Sequence, residues 1–348
     1  MKNNILVLGY FGYVTDQIDG QTIKTRNIYN LLESKKEFVD TLHYFDTQRF
    51  KYNKFSIINM FWKIFCCNKL VYLPAHNNLN YIFPLIFFIC YFMRIKILYF
   101  VVGGWLADYL KKKPIHAFLL KRIYKIFSES KEVRKKLIVE YGFENVEVFP
   151  NFRIHSFVPS MNINKNFFKI VFMARINRMK GLESVFRLAT DVERYQKSNR
   201  LISIDFYGPL DEKDKDYFLK EIEKFNFVSY KGILAPEMIY HTLENYDLSI
   251  LPTRYLTEGF PGTILDSYIS GVPVVVSRWN YASEFVDHGK TGYIFDLDKE
   301  EKFYDYVEKI YNNNETLIHM KKNAFEKSKS YSSESAWHII DKYISDVL

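Results

Sequence analysis

Short apolar runs rich in β-branched and aromatic residues alternate with longer amphipathic stretches along the chain. The short runs have the length of buried strands, and the longer stretches have the length and period of helices. This alternation is typical of a parallel sheet covered by helices on both faces. In the first half it predicts strands at Ile5–Gly9, Phe38–Phe45, Leu70–Leu73, Lys96–Val102, Lys125–Ser128 and Val146–Phe149.

The same alternation begins again after a polar segment. Residues 151–166 carry Pro159 and several Asn, which is the composition of a linker. We therefore predict one α/β domain over residues 1–155, a second over residues 166–331, and a last amphipathic helix over residues 332–348 that packs back on the first domain. The strands predicted in the second domain are Phe168–Met173, Ile202–Tyr207, Phe227–Lys231, Leu248–Leu251, Val274–Val276 and Gly292–Phe295.

The longest apolar run, Tyr81–Met93, allows two interpretations. Its 13 residues fall short of the roughly 20 that span a bilayer. It is either a helix buried in a core, with Pro84 in its first turn, or part of a surface that touches a membrane together with Phe61, Trp62 and Phe65. We favour the core, because short apolar helices are common in α/β domains.

Composition and charge limit both the class of protein and the kinds of molecule that this chain could bind. The chain has 348 residues, 48% hydrophobic and 25% charged, which excludes disordered and disulfide-stapled classes. Its aromatic content is 18%, and residues 1–165 hold 24 Lys/Arg against 12 Asp/Glu. This excess is either a solvated basic face or an attraction to anionic lipid or to a phosphate-bearing substrate. Three cysteines, two of them adjacent, favour a reducing, cytoplasmic compartment.

A basic loop opens the second domain. The strand Phe168–Met173 ends in a loop that holds Arg175, Arg178 and Lys180 before a helix. Such a loop directs backbone N–H groups and the positive helix end at an anion, while Arg and Lys add charge, so the loop suits a phosphate. A merely solvated basic loop is the alternative. Neither a Walker loop nor a Gly-x-Gly-x-x-Gly fingerprint is present in the sequence.

A second candidate loop lies between Leu251 and a predicted helix. It carries Glu258, and Asp266 follows one turn inside the helix. Carboxylates accept hydrogen bonds from sugar hydroxyls, and free N–H groups donate to phosphate, so a nucleotide-sugar matches this set. The N–H groups that we expect to face the ligand belong to Gly259, Phe260, Gly262 and Thr263.

Together these residues resemble the family 4 retaining glycosyltransferases, group 1 of the two-domain GT-B fold, known from bacterial surface-polysaccharide synthesis. Ala174-Arg175 and Lys180-Gly181 match the family's Gly-Arg-x4-Lys-Gly loop, and Glu258 with Asp266 matches its Glu-x7-Glu signature. The resemblance is specific over about residues 168–296 and implies two Rossmann-like doubly wound domains that face a cleft. It implies a hexosyltransferase-type enzyme that uses a nucleotide-diphosphate sugar, UDP being the commonest donor among relatives.

The resemblance also implies roles. Arg175 and Lys180 would bind the diphosphate and stabilise its charge in place of a metal, Glu258 would contact the donor sugar, and Asp266 would hold the ribose. Ala174 departs from the family's Gly, and Asp266 is one methylene shorter than its Glu. On the acceptor side the resemblance points to Gly20, Gln21, Gly103 and Gly104.

No general base stands out in the sequence. The family often places a His after a first-domain strand, and the region Phe100–Trp105 has none. Asp108 and His76 are weak candidates, whose simpler interpretations are a surface acid and a loop His. A missing base does not exclude transfer, because the leaving phosphate can accept the acceptor proton.

Two Asp-x-Asp sequences resemble metal-binding signatures. Asp214-Lys-Asp216 and Asp296-Leu-Asp298 spell Asp-x-Asp, which we interpret as solvated surface, so we expect no metal and no other cofactor. The expected partners are a nucleotide-sugar donor, a glycan or lipid-linked acceptor and the inner face of the cell membrane. Nucleic acid is not an expected partner, because the basic charge is the single feature of the sequence that supports nucleic-acid binding. The rivals are a nucleotide-sugar epimerase or phosphorylase of the same fold and a catalytically silent binding module.

Overall fold

Two parallel sheets covered by helices organise the part of the chain that this computed structural model describes, residues 3–164, 166–195 and 200–345. The chain divides into unit 1, Met1–His155 with Tyr331–Leu348, and unit 2, Ser156–Ser330. Position 165 of the predicted linker and residues 346–348 of the predicted last helix lie outside the described residues.

Unit 1 is built on a parallel sheet with the strand order β2-β1-β3-β4-β5-β6. Its strands are β1 (Asn4–Gly9), β2 (Thr41–Asp46), β3 (Lys69–Leu73), β4 (Lys96–Phe100), β5 (Lys125–Ser128) and β6 (Val146–Val148). The helices between them are α1 (Gly20–Glu33), α2 (Ser56–Phe65), α3 (His76–Tyr81), α4 (Phe83–Phe92), α5 (Leu106–Leu110), α6 (Pro114–Leu120) and α7 (Lys131–Tyr141).

Unit 2 repeats this plan with the parallel order β12-β11-β10-β7-β8-β9. Its strands are β7 (Phe167–Met173), β8 (Leu201–Tyr207), β9 (Val228–Tyr230), β10 (Leu248–Leu251), β11 (Val274–Ser277) and β12 (Gly292–Phe295). Its helices are α8 (Leu182–Tyr195), α9 (Lys215–Ile222), α10 (Ile239–Leu243), α11 (Gly262–Ile269), α12 (Ala282–Phe285), α13 (Glu301–Tyr311) and α14 (Asn314–Ser328). The two sheets confirm the predicted pair of doubly wound α/β domains.

The reversal of strand order marks one point in each sheet where a ligand can bind. The order reverses between β1 and β3 in unit 1 and between β7 and β10 in unit 2. At such a switch point the loops that leave two neighbouring strands diverge to opposite faces, and a crevice opens outside the carboxyl ends of the strands. The loops after these four strands carry Arg175, Lys180 and Glu258, and they lead into α1, α3 and α11, which begin with other residues that the sequence singles out.

The last helix, α15 (Ser333–Ile344), belongs to unit 1. Its residues Ala336, Ile340 and Ile344 join the core formed by α1 and one face of the sheet. The buried ammonium of Lys69 in β3 donates to the Ile344 carbonyl and to the Asn3 side chain. An ammonium at the carbonyl end of a helix satisfies acceptors that would otherwise lack partners.

Two sequence predictions need correction in detail. Phe38 lies outside β2, in the turn before it, where its ring packs 5.4 Å from that of Trp337. Contact with α15 therefore explains its apolar character. In α4, Ile86, Phe87 and Cys90 are buried whereas other large residues are exposed, so the core interpretation is correct for one side of the helix, and membrane contact by the other side stays a prediction. Within the described residues, no helix is long and apolar enough to cross a membrane.

Candidate active site

Backbone contacts with the end of β8 and with Gly208 hold the loop after β7 in place. The N–H of Ala174 donates to the Tyr207 carbonyl over 3.1 Å. A Cβ on Gly208, whose φ is +136°, would lie 2.0 Å from the Ala174 carbonyl oxygen. The close backbone approach at this motif thus depends on Gly208 rather than on the position of Ala174.

A short 3-10 turn, Arg178–Lys180, then positions Lys180. The buried Asn177 caps this turn and accepts from the Lys180 N–H over 2.9 Å. Gly181 follows with φ +91°, and a Cβ there would lie 2.0 Å from the Pro252 carbonyl oxygen. Only glycine fits this position, because the conformation is left-handed and the backbone after β10 is already in contact. Gly181 therefore brings the β7 and β10 loops together.

The loop after β10 is tied to the same turn. The Arg254 N–H donates to the Met179 carbonyl over 2.8 Å, and the Thr253 hydroxyl lies 3.3 Å from Glu258 Oε1. These bonds place Glu258 opposite Lys180, and their side chains form an ion pair that is about four-fifths shielded from solvent. The predicted phosphate-binding and sugar-binding residues thus contact each other directly.

A cavity of about 260 Å³ opens beside this ion pair, at the switch point of the unit 2 sheet. The Lys180 ammonium also lies 5.1 Å from the ring centroid of Tyr255. The cavity offers two cationic groups, one carboxylate and one aromatic ring, a set that can bind an anion and hydroxyl groups together. Its lining residues are Arg175, Asn177, Lys180, Tyr255, Thr257 and Glu258.

The other predicted donor residues lie around α11, and they do not line this cavity. The Thr263 hydroxyl donates to the Met173 carbonyl, which ties the start of α11 to the end of β7. Phe260 is buried and stacks 4.2 Å from Phe285, and Asp266 is buried within α11. Pro261 is the N-cap of α11. The assignment of Asp266 to ribose stays a prediction, as do the assignments of Gly259 and Gly262.

Arg178, the third basic residue of the predicted phosphate loop, points elsewhere. Its guanidinium pairs with Asp214 at 3.3 Å and lies 4.3 Å from the ring centroid of Tyr217. Asp214 is therefore an ion-pair partner rather than a merely solvated acid, and Asp296 likewise pairs with Arg278. No group of His, Cys, Asp and Glu side chains that could hold a metal occurs among the residues described.

A polar network that the sequence reasoning missed supports the β10 loop. The carboxylate of Glu300, just before α13, accepts from Arg254 at 3.0 Å and from the Ser184 hydroxyl at 2.9 Å, and it pairs with Arg187 at 2.5 Å. This network connects the loop to α8 and to the start of α13. Arg254 lies in the candidate loop that follows Leu251. Nothing in the sequence relates Arg254 to Glu300, which lies far along the chain.

The predicted acceptor-side residues gather at the carboxyl edge of the unit 1 sheet. Gly20 begins α1, where Asp19 and Thr22 form a capping box. The Gln21 amide donates to the Leu73 carbonyl over 3.4 Å, across the switch point between β1 and β3. Gly103 follows β4 in a left-handed conformation, with Gly104 next to it. The order of the strands therefore brings these residues to one edge.

The two weak candidates for a base lie in different surroundings. His76 is exposed just after β3, and its ring lies 5.0 Å from Trp105 and 4.9 Å from Tyr109. Asp108 is exposed and pairs with Lys111 at 2.8 Å, and this hydrogen bond lowers the pKa of the carboxyl. A carboxylate with a lowered pKa is a weak base, so this ion pair disfavours Asp108 in that role.

Comparison with known proteins shows the fold. The sequence profile of the family described as glycosyl transferases group 1 matches residues 155–327. Anabaena HepE, solved with UDP and glucose, has a TM-score of 0.75 and 15% identity, covering 99% of this chain and 100% of its own. Sucrose-phosphate synthase from Thermosynechococcus elongatus has a TM-score of 0.75 and 11% identity, covering 99% of each chain. The chain therefore has the two-domain GT-B fold.

A curated relative is similar in sequence over a shorter stretch. The D-inositol 3-phosphate glycosyltransferase of Paenarthrobacter aurescens is 23% identical over 211 residues, which are 56% of this chain and 51% of that protein. The matched stretch thus spans about half the length of this relative.

Proposed function

Because residues 155–327 form a domain of the glycosyl transferases group 1 family, we propose that the chain transfers a sugar from a nucleotide-diphosphate donor to an acceptor hydroxyl. The observation that carries this proposal is the cavity where Arg175 and Lys180 meet Glu258 at the switch point of the second sheet. A diphosphate needs cations, and a sugar needs hydrogen-bond acceptors. A nucleotide-sugar needs both within one cavity.

Each side chain has one task in the proposed reaction. Arg175 and Lys180 bind the diphosphate and stabilise the charge that grows on it as the bond to the sugar breaks. Lys180 exchanges part of its contact with Glu258 for phosphate, and the carboxylate of Glu258 accepts from sugar hydroxyls. Asp266 holds the ribose. Because these charges are supplied by side chains, the proposed reaction needs no metal.

The proposed transfer retains the anomeric configuration. The bond between the anomeric carbon and the phosphate oxygen breaks, the acceptor oxygen bonds to the same face of that carbon, and the acceptor proton moves to the departing phosphate. No separate base is then required, so neither His76 nor Asp108 needs to act as one.

We propose UDP as the donor nucleotide, supported by the solved relative that holds UDP and glucose. The proposed acceptor is a glycan or a lipid-linked saccharide of bacterial surface polysaccharide, including capsule and exopolysaccharide. The proposed setting is the cytoplasm at the inner face of the cell membrane. The basic excess of residues 1–165 supports such an anionic, membrane-bound acceptor.

The test combines nucleotide binding with product analysis. A thermal-shift panel of nucleoside diphosphates identifies the base, and the matching sugar donors are then incubated with candidate acceptors. Lys180→Ala should lose at least about a hundredfold in transfer rate, because a charge that stabilises the transition state is removed. The control is Lys213→Ala, an exposed lysine outside the cavity.

Each rival gives a different result in this test. An isomerised donor sugar without acceptor indicates an epimerase, and phosphate-dependent cleavage indicates a phosphorylase. Stabilisation by a nucleotide without turnover on any acceptor indicates a silent binding module. Full transfer activity in Lys180→Ala would contradict the assigned site, and inversion of the anomeric carbon seen by NMR would contradict retention.

A further inference from the structure

The outer side of α2 is apolar and exposed. Phe55, Ile58, Trp62 and Phe65 recur at intervals of three and four residues, so they form one stripe along the helix. Phe55 is 81% exposed and Trp62 is 69% exposed, whereas Ile64 is fully buried. A surface helix normally turns its polar side outward. This helix presents large apolar side chains on both sides.

The adjacent segment repeats this pattern more strongly. Leu85, Phe88 and Phe92 form an exposed stripe on α4, and Tyr81 precedes them at the end of α3. Tyr81 is 77% exposed and Phe92 is 79% exposed. All ten residues of α4 are apolar, aromatic, Cys or Pro. A helix that is apolar all round belongs inside a core or against lipid, and half of α4 is outside the core.

Topology puts these stripes on one face of the sheet. The chain moves in one direction from β1 to β2 and in the other direction from β2 onward to β6. Because crossovers are right-handed, α1 lies on one face and the later helices lie on the opposite face. The α1 face carries α15, as the shared core confirms. On the opposite face α4 packs against α6, whose Ile115 and Phe118 are also exposed.

These three stripes, on α2, α3–α4 and α6, together form what we call the aromatic face. Its charge is as unusual as its apolarity. Between Asp46 and Glu129 the chain carries 13 Lys/Arg, of which Lys69 is buried away from this face, and a single acid, Asp108. That acid already pairs with Lys111. Lys112 and Lys113 directly precede α6, and Lys121 and Arg122 follow it. Basic side chains beside exposed aromatic ones are the composition of an interfacial membrane-binding surface.

We propose that the aromatic face docks unit 1 on an anionic lipid bilayer, with its aromatic and aliphatic side chains inserted at the level of the headgroups and upper acyl chains. The lysines around it bind the lipid phosphates. Charge decides against a second copy of the chain as the occupant, because it would bring the same positive excess to the interface. The surface lies on helices of unit 1 and does not include the cavity of unit 2, so docking does not depend on transfer activity.

The test is flotation of the purified chain with vesicles. Vesicles of phosphatidylcholine with phosphatidylglycerol should capture the protein, and phosphatidylcholine alone should capture it much more weakly. Leu85→Ser/Phe88→Ser/Phe92→Ser should weaken capture at least about a hundredfold, since each large apolar side chain withdrawn from lipid costs about tenfold. The matched control is Val158→Ser/Ile233→Ser/Met238→Ser, three exposed apolar residues of unit 2.

Fluorescence separates insertion from adsorption. The Trp62 emission should shift to the blue on binding and should be quenched by lipids brominated in the upper acyl chain, and Trp62→Phe should lose both signals while still binding. The proposal is overturned if the control variant loses as much as the α4 variant, if Trp62 is not quenched, or if lipid-free protein self-associates through the same residues. UDP stabilisation of every variant, measured in parallel, tests the proposed donor site separately.

Discussion

Basic residues are arranged differently in the two units. In unit 2, Lys180 of the cavity pairs with Glu258, and Arg254 of the β10 loop pairs with Glu300. In unit 1 the long stretch between Asp46 and Glu129 has a single acid for all its basic residues. A paired cation is oriented and can exchange its partner for one small anion, whereas an excess of cations attracts an extended anionic surface. This difference supports the two proposals that the nucleotide diphosphate binds to unit 2 and the lipid to unit 1.

The largest effect is expected for Glu258→Gln. Transfer should fall about a thousandfold, because the substitution removes the carboxylate that we propose accepts from the sugar hydroxyls at the reacting end of the donor. UDP affinity should stay the same or rise, since Lys180 loses a competing partner. Steady-state rates and calorimetric UDP titration measure the two effects, with the exposed Glu237→Gln as control. If UDP affinity fell as far as activity, Glu258 would act on the nucleotide and the division of tasks would be wrong.

A pair in unit 1 should behave as a structural element. The ammonium of Lys24 in α1 donates to Glu129 at 2.7 Å and to the Val101 carbonyl at 2.9 Å, and both side chains are buried. Lys24→Met should lower the free energy of unfolding by about 4 kcal/mol, because the Glu129 carboxylate stays buried without its ammonium partner.

Urea denaturation measures this cost, and the double variant Lys24→Met/Glu129→Leu should recover most of it. A loss below about 1 kcal/mol in the single variant would contradict the structural role. Loss of transfer activity at unchanged stability would mean that the pair contributes to acceptor binding instead.

The buried Lys321 of unit 2 should give a pH signature. Burial lowers the pKa of this lysine to about 8, against the opposing effect of Asp247 and Glu244. Its unfolded pKa is about 10.4, so folding releases a proton between these values and the free energy of unfolding rises with pH across that window. The rise amounts to at most about 3 kcal/mol.

Urea denaturation from pH 7 to 10.5 measures the rise. Lys321→Met should reduce the rise, and the neighbouring, exposed Lys322→Met should leave it unchanged. An identical pH slope in both variants would show that another group titrates.

The sequence predicted the framework well because parallel strands are continuous apolar runs. Lys125–Ser128, Leu248–Leu251 and Gly292–Phe295 coincide with the strands of the structure, and the switch-point loops follow from their order. Phe38 was placed in a strand because sequence cannot distinguish an apolar residue that packs in a sheet from one that contacts a distant helix.

The candidate site was predictable only as far as its residues share local motifs. Arg175, Lys180 and Glu258 were found from loop chemistry, and the structure brings them to one cavity. The contact between Glu300 and Arg254 depends on the packing of α8 and α13, which no local pattern encodes. The two-sided α4 was ambiguous for the same reason: periodicity cannot tell which half of an apolar helix faces the core.

The most direct test measures vesicle binding and UDP binding on the same two variants. Lys111→Gln/Lys112→Gln/Lys113→Gln should lose at least about tenfold in affinity for phosphatidylglycerol vesicles, since each basic residue near an anionic membrane contributes about fivefold, and it should bind UDP normally. Lys180→Met should lose UDP binding and keep its vesicle affinity. Equal loss of both activities in either variant would contradict the division of charge between the two units.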